Sequence, residues 1–273
     1  MVFLKFSFCF CTKNFTFQQA SEKLYKMKRI VAVPILIFIF IASCRLSYQP
    51  QSVQYTDYRI NHRAAADTGF ATFLKPYSDS VQASMRMVIG TVETTLQKKQ
   101  PEGTLGNFLA DALLEGARKK MNVPVNAAFL NPGGIRMPYI KAGPVTVGNI
   151  YEVMPFDNLM ALQEIKGSVL QKFLDLTAAK GGWPVAGLTM KIKNNKAADI
   201  RIGGAPFDAN AYYYVVNSDY IVNGGDNCDM LKAVPATITG YLVRDVFIDY
   251  FRERQTGGKK ITEPTGGRVS YVQ

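Results

Sequence analysis

The apolar run at residues 30–41 separates the chain into a short leading part and a long body. It reads IVAVPILIFIFI, follows the basic pair Lys28 and Arg29, and ends just before Ala42, Ser43 and Cys44. About a dozen apolar residues are too few for a transmembrane helix, which needs roughly 20, but they suit the hydrophobic region of a secretory signal peptide. We therefore expect the fold to be built from the residues that follow this run.

The small residues directly before Cys44 resemble the bacterial lipoprotein signal, in which the cysteine carries lipid and becomes the mature N-terminus. This resemblance implies a protein that is exported and anchored by lipid to the bacterial cell envelope, facing the periplasm. A short anchor that stays in the membrane is the alternative. Because Met27 begins a complete signal by itself, we interpret the residues before it as a misassigned extension. The expected segments are an extension at 1–26, a signal peptide at 27–43, a polar tether at 44–68 and a domain at 69–273.

Nearly half of the positive charge of the chain lies in its leading part. The 273 residues carry a formal charge of +11, from 32 basic and 21 acidic residues. Residues 1–44 hold six of the bases and one of the acids, which leaves 26 and 20 in the body. The body shows no basic patch with interleaved aromatic residues, so we expect no nucleic-acid partner.

Histidine and cysteine usage restricts the chemistry. His62 is the one histidine of the sequence, and it falls in the expected tether. A histidine-rich metal site of the usual kind is therefore excluded within this chain. Of the four cysteines, Cys9, Cys11 and Cys44 lie in the leading part and Cys228 in the body. We expect no disulfide within the mature chain, and we interpret Cys228 as a packed thiol.

Helical and strand patterns alternate in the body of the chain. Apolar spacing predicts helices at 76–86, from an N-cap at Thr104 onward, and at 147–154, 168–179 and about 240–254. Runs rich in β-branched and apolar residues predict strands at 87–96, 125–130, 159–165, 188–193, 198–202, 212–216 and 268–272. The order lacks strict βαβ regularity, which predicts an α/β (α+β) fold: a single domain with a mixed β-sheet and flanking helices.

Two glycine loops each follow a predicted strand, at 131–136 (NPGGIR) and 223–226 (NGGD). Glycine lets backbone N–H groups approach a ligand closely, and the arginine that ends the first loop offers a forked donor for phosphate or carboxylate. Phe156 and Tyr220 lie next to such loops and could stack on a base. From the pattern by itself, the first loop could equally be an ordinary glycine turn with a surface arginine. The second loop is weak evidence by itself, since Asn-Gly favours an ordinary turn, and a given ring is more often part of the core.

Four sequence blocks occur in an order that resembles the C-terminal, substrate-binding domain of the 5′-nucleotidase / UDP-sugar hydrolase family. They read GTLGNFLADA at 103–112, NPGGIR at 131–136, MPFDN at 154–158 and NGGD at 223–226. The resemblance covers roughly residues 70–270. It implies the fold of that domain and a site that recognises a nucleoside or nucleotide.

The resemblance implies a role for four residues that contact the nucleoside. Phe156 corresponds to one of two rings that hold the base, and Tyr220 lies where the second ring, usually phenylalanine, is found. Asp226 would accept hydrogen bonds from the ribose hydroxyls. Asn131 corresponds to a contact with the base or the ribose.

The resemblance also implies phosphate-binding cations. Arg136 would bind phosphate, and Lys99 is the candidate for a further arginine of the family that precedes the Leu-Gly-Asn block. A lysine there keeps the charge and loses the forked geometry. Pro132 stands where a third glycine is common.

Family members normally carry a preceding metallophosphatase domain with a dimetal centre, whose metals activate water for phosphate-ester hydrolysis. No Asp-x-His or Gly-Asn-His-Glu motif occurs in this sequence. We therefore expect no catalytic residue, metal ligand or cofactor in this chain, and divalent metals only on a separate metallophosphatase chain that acts with it in nucleotide catabolism. The alternatives are a non-catalytic nucleoside- or nucleotide-binding envelope lipoprotein, and a structural lipoprotein without a ligand.

Overall fold

The computed structural model describes residues 52, 54–57, 67–258, 261, 262, 264 and 266–272. Ala66–Gln273 forms one compact unit, and the elements below all belong to it. The expected signal peptide, the expected lipidation site Cys44 and His62 lie outside the described residues. Within the described ranges, no helix has the length and apolar character needed to cross a bilayer.

The chain alternates helices and strands throughout the unit. The helices are α1 (Thr68–Met85), α2 (Thr104–Lys120), α3 (Val147–Val153), α4 (Gly167–Ala179), α5 (Asp219–Val222) and α6 (Val243–Thr256). The strands are β1 (Val88–Val92), β2 (Leu96–Gln97), β3 (Ala127–Phe129), β4 (Tyr139–Ile140), β5 (Gly143–Thr146), β6 (Leu159–Lys166), β7 (Val185–Ala186), β8 (Leu188–Lys193), β9 (Lys196–Ile202), β10 (Ala205–Pro206), β11 (Tyr212–Ser218), β12 (Ala236–Leu242) and β13 (Val269–Tyr271). Short 3-10 turns occupy Pro132–Gly134, Gly225–Asn227 and Asp229–Leu231.

A five-stranded mixed sheet in the order β12-β6-β11-β3-β7 forms the centre of the fold. Strands β11 and β3 run parallel, while the other neighbours are antiparallel. A four-stranded sheet has the order β10-β9-β8-β13, and β1-β5 and β2-β4 form two antiparallel ribbons. The predicted α/β fold with mixed sheet and flanking helices is confirmed.

The five-stranded sheet separates two hydrophobic cores. Successive side chains of a strand point to opposite faces, and Val215 and Val216 of β11 accordingly lie in different cores. The core containing Val216 is completed by α2 and α6, which contribute Leu113 and Phe247. The other contains α4, Trp183 and the inner face of the four-stranded sheet. A one-residue slip would move every side chain of a central strand into the opposite core, so the different shapes of the two cores specify the register of these strands.

One prediction at the start of the domain is wrong in detail. Helix α1 begins at Thr68 rather than at residue 76, because Asp67 acts as N-cap and accepts a hydrogen bond of 3.0 Å from the Phe70 N–H. Pro76 therefore lies inside the helix. No residue of α1 is buried, and its apolar side chains are exposed, Phe70 by 59% and Tyr77 by 65%.

Three further predictions differ from the structure. The single strand expected at 87–96 is two strands, β1 and β2, in different ribbons. Gly103, not Thr104, is the N-cap of α2, and the Thr104 hydroxyl instead accepts a bond of 2.8 Å from the Gln97 N–H. The helix expected from about 240 begins at Val243, because the preceding residues pair with β6 as part of β12.

Candidate functional site

Three chain segments meet at one edge of the five-stranded sheet. Strands β3 and β11 are parallel neighbours, so the loops that follow them leave the sheet on the same side. Strand β6 is antiparallel to β11 and pairs Met160 with Ser218, so the residues before β6 arrive at that side too. The carboxyl ends of parallel strands are a common place for ligand sites. Here the sheet topology brings the 131–136 loop, the 154–158 segment and the 219–227 turn together.

A cavity of about 300 Å³ lies where these segments meet. Five of the six binding residues expected from the sequence line it, together with three further residues. The lining residues are Asn131, Gly133, Gly134, Arg136, Phe156, Asn158, Tyr220 and Asp226.

A hydrogen-bond network fixes the carboxylate of Asp226. The Asn131 side-chain amide donates to Asp226 Oδ2 at 2.8 Å, and the Tyr220 hydroxyl lies 3.2 Å from Oδ1. The backbone N–H of Asp226 lies 3.3 Å from the same hydroxyl oxygen. Asn131 is buried, so a polar group on this wall depends on such a partner. The network presents an oriented anionic acceptor at the cavity.

The 131–136 loop is held close to the cavity by its own residue types. Pro132 opens a 3-10 turn, where a missing N–H costs no intrahelical hydrogen bond. A side chain at Gly134 would place its Cβ 2.8 Å from Asn131 Oδ1, closer than real Cβ contacts permit. Glycine at this position thus leaves room for the amide that holds Asp226.

Arg136 places a guanidinium at the end of this loop. The backbone N–H of Arg136 donates to Val153 O at 2.8 Å, and this bond connects the loop to the end of α3. The exposed guanidinium lies 5.8 Å from the centroid of the Phe156 ring and donates to Gly133 O at 3.3 Å. Arg136 lines the cavity, and its remaining N–H donors can bind an anion.

Lys98, rather than Lys99, is the lysine that contacts this loop. Lys98 Nζ donates to Ile135 O at 2.7 Å. Partial burial, and next the positive charge of Arg136, lower the pKa of Lys98. Lys99 is exposed and does not line the cavity. The structure therefore pairs Arg136 with the neighbour of the lysine expected from the sequence.

Phe156 and Tyr220 both present partly exposed rings to the cavity, 39% and 46% exposed. The backbone behind Phe156 is anchored by Arg244, whose side chain is 6% exposed. Arg244 donates to Phe156 O at 3.2 Å and to Asp157 Oδ1 at 2.6 Å. Its guanidinium also lies 4.1 Å from the centroid of the Tyr151 ring.

Asn158 lines the cavity and was missed as a binding residue by sequence reasoning. It belongs to the MPFDN block and stands two residues after Phe156, which was the available signal. Its carbonyl accepts a bond of 2.9 Å from the Val243 N–H, so the backbone at this position is fixed at the start of α6.

A bound metal ion or a nucleophilic side chain could give the described part of the chain catalytic chemistry. No group of three or more His, Cys, Asp or Glu side chains there is placed to hold a metal ion. Cys228 is fully buried, and burial raises the pKa of its thiol to about 11. At neutral pH this thiol is therefore protonated and is a poor nucleophile.

The model of the family described as "5′-nucleotidase, C-terminal domain" matches residues 88–233. An apyrase from Anopheles gambiae is 30% identical over 219 residues, which cover 73% of this chain and 38% of the apyrase. A 5′-nucleotidase from Vibrio parahaemolyticus is 26% identical over 195 residues, covering 67% of this chain and 34% of the relative. The chain thus spans little more than a third of the length of these relatives.

A solved structure shares the fold. The 5′-nucleotidase precursor of Thermus thermophilus aligns with a TM-score of 0.64 and 28% identity, over 75% of this chain and 43% of the other. The family match includes the loops and the two rings that form the cavity. On the combined evidence of sequence, fold and matched region, the chain belongs to the 5′-nucleotidase C-terminal domain family.

Proposed function

We propose that this domain binds a nucleoside or nucleotide in the cavity between the 131–136 loop and the 219–227 turn. It would supply the recognition half of a 5′-nucleotidase-type phosphoester hydrolase in nucleotide catabolism. The observation that carries the proposal is that two partly exposed rings, an oriented carboxylate and an exposed guanidinium line one cavity. These groups match the base, ribose and phosphate of one ligand.

The base would contact the rings of Phe156 and Tyr220. Both rings are partly exposed, so a flat base can cover apolar surface that water now contacts. Stacking needs only a π-face and is worth about 1 to 3 kcal/mol per base. Asn158 and Asn131 add amide groups that can donate to or accept from the edge of the base.

The ribose would bind Asp226. Its carboxylate can accept two hydroxyl hydrogen bonds, and the bonds from Asn131 and Tyr220 already hold it in one orientation. A preorganised acceptor loses little conformational entropy when the ligand arrives. The same bonds leave further lone pairs of the carboxylate available, since each oxygen accepts more than one hydrogen bond.

The phosphate would bind Arg136. Its guanidinium lines the cavity, and Lys98 lies near enough to interact electrostatically with it, so a second cation adds to the positive potential at this end of the site. In the proposed assembly Arg136 orients the phosphate, while a separate metallophosphatase chain contributes the divalent metals that polarise it and activate water. Lys99 remains a candidate for a longer-range contribution of charge.

The proposal is tested by calorimetry on the purified chain with AMP, adenosine and inorganic phosphate, followed by phosphate-release assays. We expect AMP to bind, and phosphate to be released only when a candidate metallophosphatase chain and a divalent metal are added. The Phe156→Ala chain should fail to support release with the same partner. Robust hydrolysis by the unaccompanied chain would contradict a split site. Binding without release under any pairing would favour a non-catalytic binding lipoprotein.

We also propose that Cys44 carries lipid and anchors the protein to the envelope after export. The support is the sequence of residues 27–44. Expression in a bacterium fed a labelled fatty acid should label the chain, and Cys44→Ala should abolish the label and release the protein from the membrane fraction. A label that persists in Cys44→Ala would contradict this assignment.

A further inference from the structure

Asp226 and Asn227 adopt a backbone conformation that side chains rarely take. Their φ angles are 54° and 68°, both in the left-handed region. Asp and Asn visit this region more readily than other residues with a side chain, but two in succession still need support from their surroundings. The turn that carries the proposed ribose acceptor therefore depends on contacts from elsewhere in the fold.

Lys180 makes such a contact from outside the cavity. Its Nζ donates to the backbone carbonyl of Asp226 at 2.6 Å and lies 3.4 Å from Asn227 Oδ1. An ammonium forms stronger hydrogen bonds than a neutral donor. One side chain thus holds both residues of the turn.

The backbone of Lys180 is itself fixed. It is the C-cap of α4, its N–H donates to Leu176 O at 3.1 Å, and its carbonyl accepts a bond of 3.0 Å from Gln100 Nε2. The helix is anchored in the core by buried residues such as Phe173. The ammonium therefore connects the 226–227 turn to a rigid part of the fold.

We propose that Lys180 is a positioning residue for ribose recognition, acting through Asp226. This inference rests on the proposed function. Lys180 does not line the cavity, and its bonds go to the carbonyl of Asp226 and the amide of Asn227. Asn131 and Tyr220 hold the carboxylate from the cavity side. Lys180 instead holds the backbone of Asp226, and it makes no hydrogen bond to the carboxylate oxygens that would accept from hydroxyl donors.

The test compares nucleosides with and without ribose hydroxyls on the full chain. Dissociation constants are measured for adenosine and uridine and for their 2′,3′-dideoxy counterparts. The dissociation constant of the dideoxy compound divided by that of the parent nucleoside reports hydroxyl recognition. We expect Lys180→Met to lower this ratio at least fivefold while the dideoxy affinity changes less than twofold. Lys180→Arg keeps a cationic donor and should restore the ratio to within twofold of the unmodified chain.

Lys172→Met, an exposed lysine on the same helix, is the matched control and should leave the ratio unchanged. A ratio in Lys180→Met equal to that of the unmodified chain would overturn the inference and leave the proposed function standing. An equal loss of affinity for both members of a pair would assign Lys180 a general structural role and also overturn it. An unmodified chain that binds none of the nucleosides would overturn the proposed function, and this inference with it.

Discussion

The side-chain amide of Asn131 donates a hydrogen bond of 2.8 Å to the carboxylate of Asp226, although 95 residues separate the two in sequence. The bond joins the loop after β3 to the turn after β11, so both walls of the cavity are linked before a ligand arrives. It also determines which lone pairs of Asp226 face the cavity.

Asn131→Asp keeps the shape of this contact and replaces its donor with a second carboxylate. We expect adenosine affinity at pH 8 to fall by about tenfold or more, since the loss of a hydrogen bond to a charged group costs about 1.5 to 3 kcal/mol. The neighbouring charge should raise the pKa of one carboxyl of the pair. Affinity should then recover partly towards pH 5, where a shared proton restores a donor. Titration calorimetry at both pH values checks this, and a pH-independent loss would contradict it.

Different substitutions distinguish the contributions of the two rings to nucleoside binding. Phe156→Ala should weaken nucleoside binding by about 1 to 3 kcal/mol, the value of one stacked base. Tyr220→Phe keeps the ring and removes the hydroxyl that contacts Asp226, so it should weaken adenosine more than its 2′,3′-dideoxy counterpart. Tyr212→Ala, an exposed ring at the start of β11, is the control and should have no effect. Equal losses for all three variants would contradict a stacking site at this cavity.

Arg136→Gln should discriminate nucleotide from nucleoside. The guanidinium contacts the Phe156 side of the cavity and can reach a phosphate, so its removal should lower AMP affinity by about tenfold or more and leave adenosine within twofold. The salt dependence of AMP binding should also flatten, because screening acts on the charge pair that has been lost. An equal effect on both ligands would mean that Arg136 supports the loop rather than the phosphate.

The adjacent lysines give a matched pair of variants. Neither lysine lines the cavity, but Lys98 contacts Ile135 O and lies close enough to Arg136 for the two charges to interact. Lys98→Gln should therefore weaken AMP more than Lys99→Gln does, with adenosine unchanged in both. The opposite order in binding assays would favour Lys99, the lysine expected from the sequence.

Strong periodicity made much of the fold predictable. Strands were expected at 188–193 and 198–202, and β8 and β9 lie there as an antiparallel pair. Asn194 and Asn195 between them both have positive φ, as a tight turn between antiparallel strands requires. Strand β12 could not be predicted because its side chains are mostly exposed, so no buried alternation marks it. Its stability comes instead from backbone pairing with β6, which depends on a partner some 75 residues away in the chain.

The candidate site, like the fold, could be predicted from the sequence only in part. Glycine loops, aromatic residues and acids are recognisable as residue types, and the resemblance assigned five of them that now line one cavity. Which of Lys98 and Lys99 contacts the 131–136 loop could not be predicted from the sequence, because this contact depends on strand pairing. The Lys98 N–H bonds to Pro138 O beside the β2-β4 ribbon, and this pairing sets which lysine faces the 131–136 loop.

The buried thiol of Cys228 predicts a specific loss of stability in alkali. Burial raises its pKa from the ordinary value of 9.0 to about 11, so the native state holds the proton more tightly than the unfolded chain does. The stabilisation is complete below pH 9 and is lost as the pH rises from 9 through 11, by about 2 to 3 kcal/mol in all.

Urea unfolding of the unmodified chain and of Cys228→Ala at pH 8, 9, 10 and 11 measures this contribution. Tyrosines with raised pKa, such as Tyr250, titrate in both proteins, so their effect cancels in the difference. The free energy of unfolding of the unmodified chain should fall towards that of Cys228→Ala as the pH rises. Parallel curves for the two proteins would show that the thiol is accessible to solvent in the native state.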